Sequence, residues 1–302
     1  MKYKKIFLGI LIIILGGGIY FFSEENDYIS NNDIKFETTH FTEKTSDNSY
    51  IRIVDDYVDD AALNNLYNEE NLIKRLKRFN ENLTDHFDYY EISFQALQSL
   101  DYYDGDERFV KIYNRRGGKI INQEINIDGK RCYVTSFNTL QTNERFFSEN
   151  LNFVDEGEGF EKKDYLLSAS EKVPIILGHN YKKDVNLGET FTLNYLEKNL
   201  EFYVKGFFEE GLCIKSNNMV TCLDNYICMP SFACTEMYGT ERENFMFCVR
   251  HYLQKNQGYI KYTDSYELAD IEKKLIHYID DSMLKYSRME TTFQIDVYKD
   301  GS

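Results

Sequence analysis

Three kinds of chemistry are missing from this chain. There is no Gly-x-x-x-x-Gly-Lys-Ser/Thr phosphate loop, so it does not bind ATP in that way. It has neither a Gly-x-Ser-x-Gly nucleophile elbow nor a His-Glu-x-x-His zinc helix. Basic residues are in deficit: 35 Lys and Arg against 50 Asp and Glu give a formal net charge of −15. No basic stripe offsets that balance, which argues against nucleic acid as a partner. The same acidity is an ordinary way to keep a surface domain soluble. Tryptophan is absent and proline occurs only twice, whereas Tyr (25) and Phe (22) are plentiful. At 302 residues the chain is long enough for one large domain or two small ones.

Long apolar runs are also scarce, and the one present is N-terminal. Residues 6–22 are uncharged and almost wholly apolar, behind a positive flank of Lys2, Lys4 and Lys5. Spanning a bilayer takes about 20 apolar residues, so this run is at the short end. Glu24, Glu25, Asp27 and Asp33 follow with no base among them. The positive-inside bias therefore places residues 1–5 in the cytoplasm, 6–22 across the membrane and the rest outside. A cleaved signal peptide is the rival reading, but the apolar run continues past Gly16-Gly17-Gly18 through Phe22, which suits an uncleaved anchor. No cysteine closes the run, which disfavours a lipoprotein. Residues 23–48 are polar and read as a linker; the folded part, 49–302, starts with a strand over 50–54.

Six cysteines fit an extracytoplasmic location. Five (Cys213, Cys222, Cys228, Cys234, Cys248) crowd one region and Cys132 stands apart. Six allow 15 pairings; the best local candidate is a disulfide between Cys213 and Cys222 across a hairpin turn at Ser216-Asn217-Asn218. Zinc is the sharper alternative, but no Cys-x-x-Cys pair occurs and His251 is the one histidine nearby. The other histidines, His40, His86, His179 and His277, are scattered; His277 reads as a solvated residue on a helix and His179 as part of a loop. The acidic clusters Asp55-Asp56…Asp59-Asp60 and Asp101…Asp104-Gly105-Asp106 lack hand-type calcium spacing and read as solvated turns. No catalytic, cofactor-binding or metal-ligating residue is assigned. Asn82-Leu83-Thr84 matches a glycosylation sequon at a helix end.

Periodicity sets the fold class. Leu72, Leu76, Phe79 and Leu83 make one face of a helix over 68–83, with Glu69 and Glu70 expected in its first turn. Tyr90, Ile92, Phe94 and Ala96 alternate with Glu91, Ser93 and Gln95, which predicts a strand with one wet face. A strand is expected over 109–113. Asp128-Gly129 between 125–127 and 132–137 signals a tight hairpin. A strand over 259–262 leads to a helix capped by an Asp264/Glu267 box, with Leu268, Ile271, Leu275, Tyr278 and Ile279 inward. A last strand is expected over 292–297. Helices and strands are segregated and the strands mostly hairpin-linked, so the class is α+β.

One stretch goes further. Residues 173–208 read as an apolar run, Gly178, Lys182 and Lys183, Gly188, then β-rich runs at 190–195 and 202–208, the last broken by Gly206. This resembles the periplasmic core domain of ABC-transporter permeases of the macrolide-exporter type. Cys132–Phe137, Phe146-Phe147, Leu151, Gly159-Phe160…Asp164 and Tyr226–Ser231 are similar to the flanking motifs of that family, although the arginine that follows the family's glycine is replaced here by Phe160. The resemblance implies a two-lobed extracytoplasmic domain: an α/β sandwich with a smaller β-rich lobe, the cysteine-rich part near their junction. It also implies a permease role in which a separate cytosolic ATPase and other permease subunits are partners. The outer domain would then help export, release or sense a peptide, antibiotic or lipoprotein, with no catalytic residue of its own. Family permeases normally carry further membrane helices, so the expectation is a piece of a longer permease or else a single-pass relative. A stand-alone surface binding or sensor protein is the alternative reading, and an anchored enzyme a third.

Overall fold

The computed structural model describes residues 49–299 apart from 58, 113–117, 128, 168–170, 217–218, 235–239 and 292–294. The proposed anchor and linker, together with His40, lie outside the described residues, which all fall within one compact unit, Ser46–Ser302. Among the described residues no helix is long and apolar enough to cross a membrane.

The fold is mixed α+β with four sheets among the described residues. A four-stranded antiparallel sheet runs β18 (Tyr286–Thr291), β1 (Ser49–Asp55), β17 (Tyr259–Tyr262), β2 (Tyr89–Tyr90). The largest sheet runs β3 (Ile92–Ser93), β7 (Thr139–Thr142), β15 (Ile227–Pro230), β10 (Val173–Leu177), β12 (Lys198–Phe208), β11 (Thr190–Tyr195), β4 (Gln98–Ser99), β6 (Lys130–Ser136), β5 (Gln123–Ile127). Its tenth strand, β8 (Val154–Gly157), pairs with the far end of β12. Smaller sheets join β13 (Leu212–Ser216) to β14 (Met219–Cys222) and β19 (Ile295–Lys299), and β9 (Leu166–Leu167) to β16 (Ala233–Cys234). The main helices are α1 (Asp60–Leu66), α2 (Leu72–His86), α3 (Glu241–Lys255) and α4 (Ser265–Ser282).

The resembling stretch forms the middle of the large sheet. Strand β10 is buried along its whole length because both faces are covered. Val173, Ile175 and Leu177 join a core with Phe202, Val204, Phe207, Met229, Phe232 and Phe247; Ile176 joins another with Phe146, Phe147, Leu151, Phe208 and Cys228. Strand β12 is continuous, so Gly206 does not break it. Its pairing with β10 skips Lys205, a bulge that shifts the register between Ile175 and Ile176. In regular alternation from Phe202 and Val204, Phe208 would join their core and Phe207 the opposite one; the bulge exchanges the two. The Lys205 ammonium is buried and donates to Asp164 Oδ2 at 2.6 Å; the same oxygen accepts from the Glu161 amide at 2.7 Å. The Gly159-Phe160…Asp164 motif thus secures the bulge. Gly178 leaves β10 against the backbone of the turn that precedes β15: a Cβ there would lie 2.1 Å from Leu223 O and 2.4 Å from Asp224 O.

Several expectations need correction. Helix α2 starts at Leu72, after Asn71 in a left-handed conformation (φ 55°), so no acid occupies its first turn; its stripe Leu72, Leu76, Phe79, Leu83 is buried as expected. The strand over 90–96 does not exist as one element. Tyr89–Tyr90 and Ile92–Ser93 belong to different sheets, and Glu91 between them is buried, not wet. Over 109–113 only Val110 forms a bridge, to Phe137; Tyr113 lies outside the described residues. The hairpin of β5 and β6 pairs Ile127 with Lys130, with Gly129 at φ 80° in the turn; Asp128 lies outside the described residues. At α4 the cap is one-sided: Asp264 accepts from the Tyr266 and Glu267 amides, while Glu267 reaches back to Thr263 N and Oγ. Only Ile271 and Leu275 of its expected stripe are fully buried. Of the strand expected over 292–297, residues 295–297 belong to β19, and 292–294 lie outside the described residues.

Candidate functional site

Helix α3 carries the densest polar chemistry of the folded unit. His251, Gln254 and Lys255 are spaced i, i+3, i+4 and so share one face, which meets the large sheet. Lys255 Nζ donates to Glu91 Oε2 at 2.9 Å, Ser231 O at 2.8 Å and Ser231 Oγ at 3.1 Å. Glu91 Oε1 accepts from Asn80 Nδ2 at 3.1 Å, and the Lys255 carbonyl accepts from the Tyr89 hydroxyl at 2.6 Å. Glu91 and Lys255 are both buried, so the pair is sustained by its hydrogen bonds as well as by charge. One turn earlier, His251 is wholly buried. Its Nε2 lies 2.7 Å from the Phe232 carbonyl, so Nε2 carries the proton and Nδ1 is left as acceptor, 3.0 Å from the Tyr195 hydroxyl. Burial, helped by Lys255, pushes the imidazole down to about 3 and keeps it neutral. Gln254 Nε2 donates to Ser93 Oγ at 2.7 Å and Gln95 Oε1 at 3.2 Å. These contacts form a polar seam between α3 and the sheet.

A serine hydroxyl beside a lysine ammonium is the pairing a serine–lysine nucleophile uses. Here the other bonds of Lys255 go to Glu91 and to the carbonyl of Ser231, and Ser231 is only 5% exposed. The ring of contacts is closed to a substrate and works as a positioning device for α3.

On the outer side of α2 lies a groove of about 710 Å³. Its lining includes Leu72, Ile73, Lys74, Lys77 and Arg78 from α2 and Phe245 from α3. Lys77 Nζ donates to the Cys234 carbonyl at 3.1 Å and lies 5.5 Å from the centre of the Tyr252 ring. Arg78 pairs with Asp281 of α4 at 3.0 Å. Glu69 and Glu81 also line it, so its walls are apolar and of mixed charge.

The residues singled out in the sequence are placed as follows. Cys213 and Cys222 face each other across β13 and β14 and form a disulfide; Asn217 and Asn218 of the turn lie outside the described residues. His251 is a core residue far from any metal geometry, and no group of three or more metal-ligating side chains occurs among the described residues. His277 is exposed on α4, and His86 stacks on Tyr278 at 5.3 Å. His179 sits in a short 3-10 turn after β10, its Nε2 3.9 Å from Glu210. Asp55 is half-buried, bonded by Tyr57 N and Gln257 Nε2; Asp56 accepts from Ser287, Asp59 caps α1 and Asp106 pairs with Arg108. Asn82-Leu83-Thr84 lies within α2, with Leu83 buried. The seam pair of Glu91 and Lys255 was not signalled by any motif, because partners 164 residues apart carry no local spacing; Ser231 closes the Tyr226–Ser231 motif, but nothing there points to Lys255, 24 residues on. Comparison with family models, with curated proteins and with solved structures finds no match for this chain.

Proposed function

We propose that this chain is the extracytoplasmic portion of an ABC-transporter permease subunit, held in the cell membrane by residues 6–22. The observation that carries this reading is the placement of the resembling segments. Residues 173–208 supply β10, β11 and β12 at the centre of the large sheet. The flanking motifs pack around them: Phe146, Phe147 and Leu151 beneath Ile176, Asp164 on the Lys205 bulge, and β15 beside β10. The family-like residues therefore form one packed unit and are not scattered over the surface. On this reading the two lobes are the four-stranded sheet with α2 and α4, and the large sheet with its β-rich edge. A separate cytosolic ATPase hydrolyses ATP, and the lobes shear along the α3 seam to release or sense a peptide, antibiotic or lipoprotein.

Capturing the protein from its own membranes with an antibody to the folded unit tests this. The reading expects a cytosolic ATPase and further permease subunits among the co-purifying chains. Capture of the chain without an ATPase refutes it. That outcome would favour a single-pass surface binding protein, for which the α2 groove would be the ligand site.

A further inference from the structure

Helix α4 carries a face left open among the described residues. Ile271, Leu275 and Ser282 are its buried side. Opposite them Tyr266, Ala269, Lys273, Ile276, Asp280 and the cap residue Met283 recur every three or four residues, and all six are exposed. Tyr266 is 88% exposed, Met283 68% and Ile276 46%. Single exposed apolar residues are ordinary, but three aligned on one helix face read as a contact surface. Met283 also holds a left-handed backbone (φ 52°), a position that glycine or asparagine usually fills. The charges of this helix are sorted. Glu267 bonds Thr263, Asp270 pairs with Lys274, Glu272 with Arg288 and Asp281 with Arg78. Lys273 and Asp280, the two charged members of the open stripe, have no side-chain partner among the described residues.

We propose that this face is the contact between two copies of the chain, their α4 helices packed antiparallel about a two-fold axis near Ile276. An isologous contact requires a patch that complements itself. The stripe meets that requirement, with its lone cation and lone anion on either side of Ile276. Antiparallel packing brings Lys273 of each copy to Asp280 of the other, which gives two equal ion pairs. Tyr266 at one end of the stripe meets Met283 at the other end of the second copy, a thioether against an aromatic ring. Ile276 meets its counterpart near the axis. Parallel packing would set Lys273 against Lys273 and Asp280 against Asp280, so charge selects the antiparallel pair. The 18-residue helix is about 27 Å long and about 10 Å wide. One such face covers less than the roughly 800 Å² per partner of a standard interface, so the dimer is weak, with Kd above about 1 μM. The pairing needs neither the ATPase nor a bound ligand.

The test uses the full chain in detergent micelles. Zero-length carbodiimide coupling, with mass spectrometry of the dimer-sized band, should yield a peptide pair joined by an amide between Lys273 and Asp280. Within one helix those residues stand two turns apart, about 10 Å, too far for such a link, so the product reports the contact between copies. Sedimentation velocity over a concentration series measures the affinity. Lys273→Glu turns both attractions into repulsions and should weaken the dimer by about tenfold or more. Lys273→Glu combined with Asp280→Lys should restore it to within about threefold. Lys130→Glu, at an exposed lysine of β6, should leave it unchanged. The three substituted side chains are exposed, so the fold of the single copy is spared, which equal Tm values verify. A monomer at every concentration up to about 1 mM overturns the proposal. So does a dimer linked only through other residues, one indifferent to Lys273→Glu, or one that the double reversal does not restore.

Discussion

Replacing Lys255 with Met should be among the most damaging single changes in the folded unit. The ammonium makes three bonds of 2.8–3.1 Å, to Glu91 and to both oxygens of Ser231. Methionine fills the volume but removes all three. Glu91, 3% exposed, would keep only the 3.1 Å bond from Asn80 and become a nearly unpaired buried charge. Breaking one side of a buried pair costs about 3–5 kcal/mol. For a unit of this size, each kcal/mol shifts Tm by roughly 2–4 °C, so Tm should fall by roughly 6–20 °C. Adding Glu91→Gln removes the stranded charge, and the double variant should recover much of the loss, to within about 2 kcal/mol of the parent. Urea and thermal unfolding at pH 7, compared among variants of equal m-value, measure both. A Lys255→Met cost below about 1 kcal/mol, or a double variant as unstable as the two singles added together, would refute the reasoning.

The remaining predictions concern pH, one close approach and the disulfide. His251, held down to about 3 by burial, binds fewer protons folded than unfolded, so its contribution is complete above about 6.5. That contribution falls by up to about 1.4 kcal/mol per pH unit as the pH drops toward 3, and His251→Gln should flatten this slope in pH-dependent unfolding. Asp55 acts in the opposite sense. Burial, with Asp56 adding, raises it from 3.8 to about 6, so its stabilising effect is present below 3.8 and lost as pH rises through 6. Asp55→Asn should therefore stabilise above pH 6, by on the order of 1 kcal/mol for this half-buried group, and show no gain below 3.8. Gly178→Ala should cost more than about 2 kcal/mol, since its Cβ would meet backbone atoms at 2.1–2.4 Å; equal Tm values would contradict this. Cys213 and Cys222 are 9 residues apart, and Cys213→Ser with Cys222→Ser should lose about 2–3 kcal/mol in urea unfolding.

Local signals survived the fold and long-range ones did not reach the sequence. The α2 stripe and the Asp-Gly hairpin depend on residues within one or two turns of each other, and both are where the periodicity put them. The misread strand at 90–96 shows the limit. Glu91 alternates as a solvent-facing residue would, yet Lys255, 164 residues away, makes its burial tolerable. Helix α3 left no amphipathic trace for the same reason. Its buried positions, Phe247, Val249, His251, Tyr252, Leu253 and Lys255, fall on more than one face because α2 and the sheet both cover it. The Lys205 bulge was equally silent, since a lysine in a strand marks a wet face until Asp164 is seen beneath it. The polar seam is built from such residues.

The seam is also where the proposed mechanical role can be tested most directly. Hydrogen exchange of the native complex in its own membrane, with and without ATP, would follow the amides of Glu241–Lys255 and Ile227–Pro230. If the lobes shear along α3 as the cytosolic ATPase turns over, nucleotide should change protection on both sides of the seam and leave the centre of β12 unchanged. Identical protection in both segments with and without ATP would contradict the account.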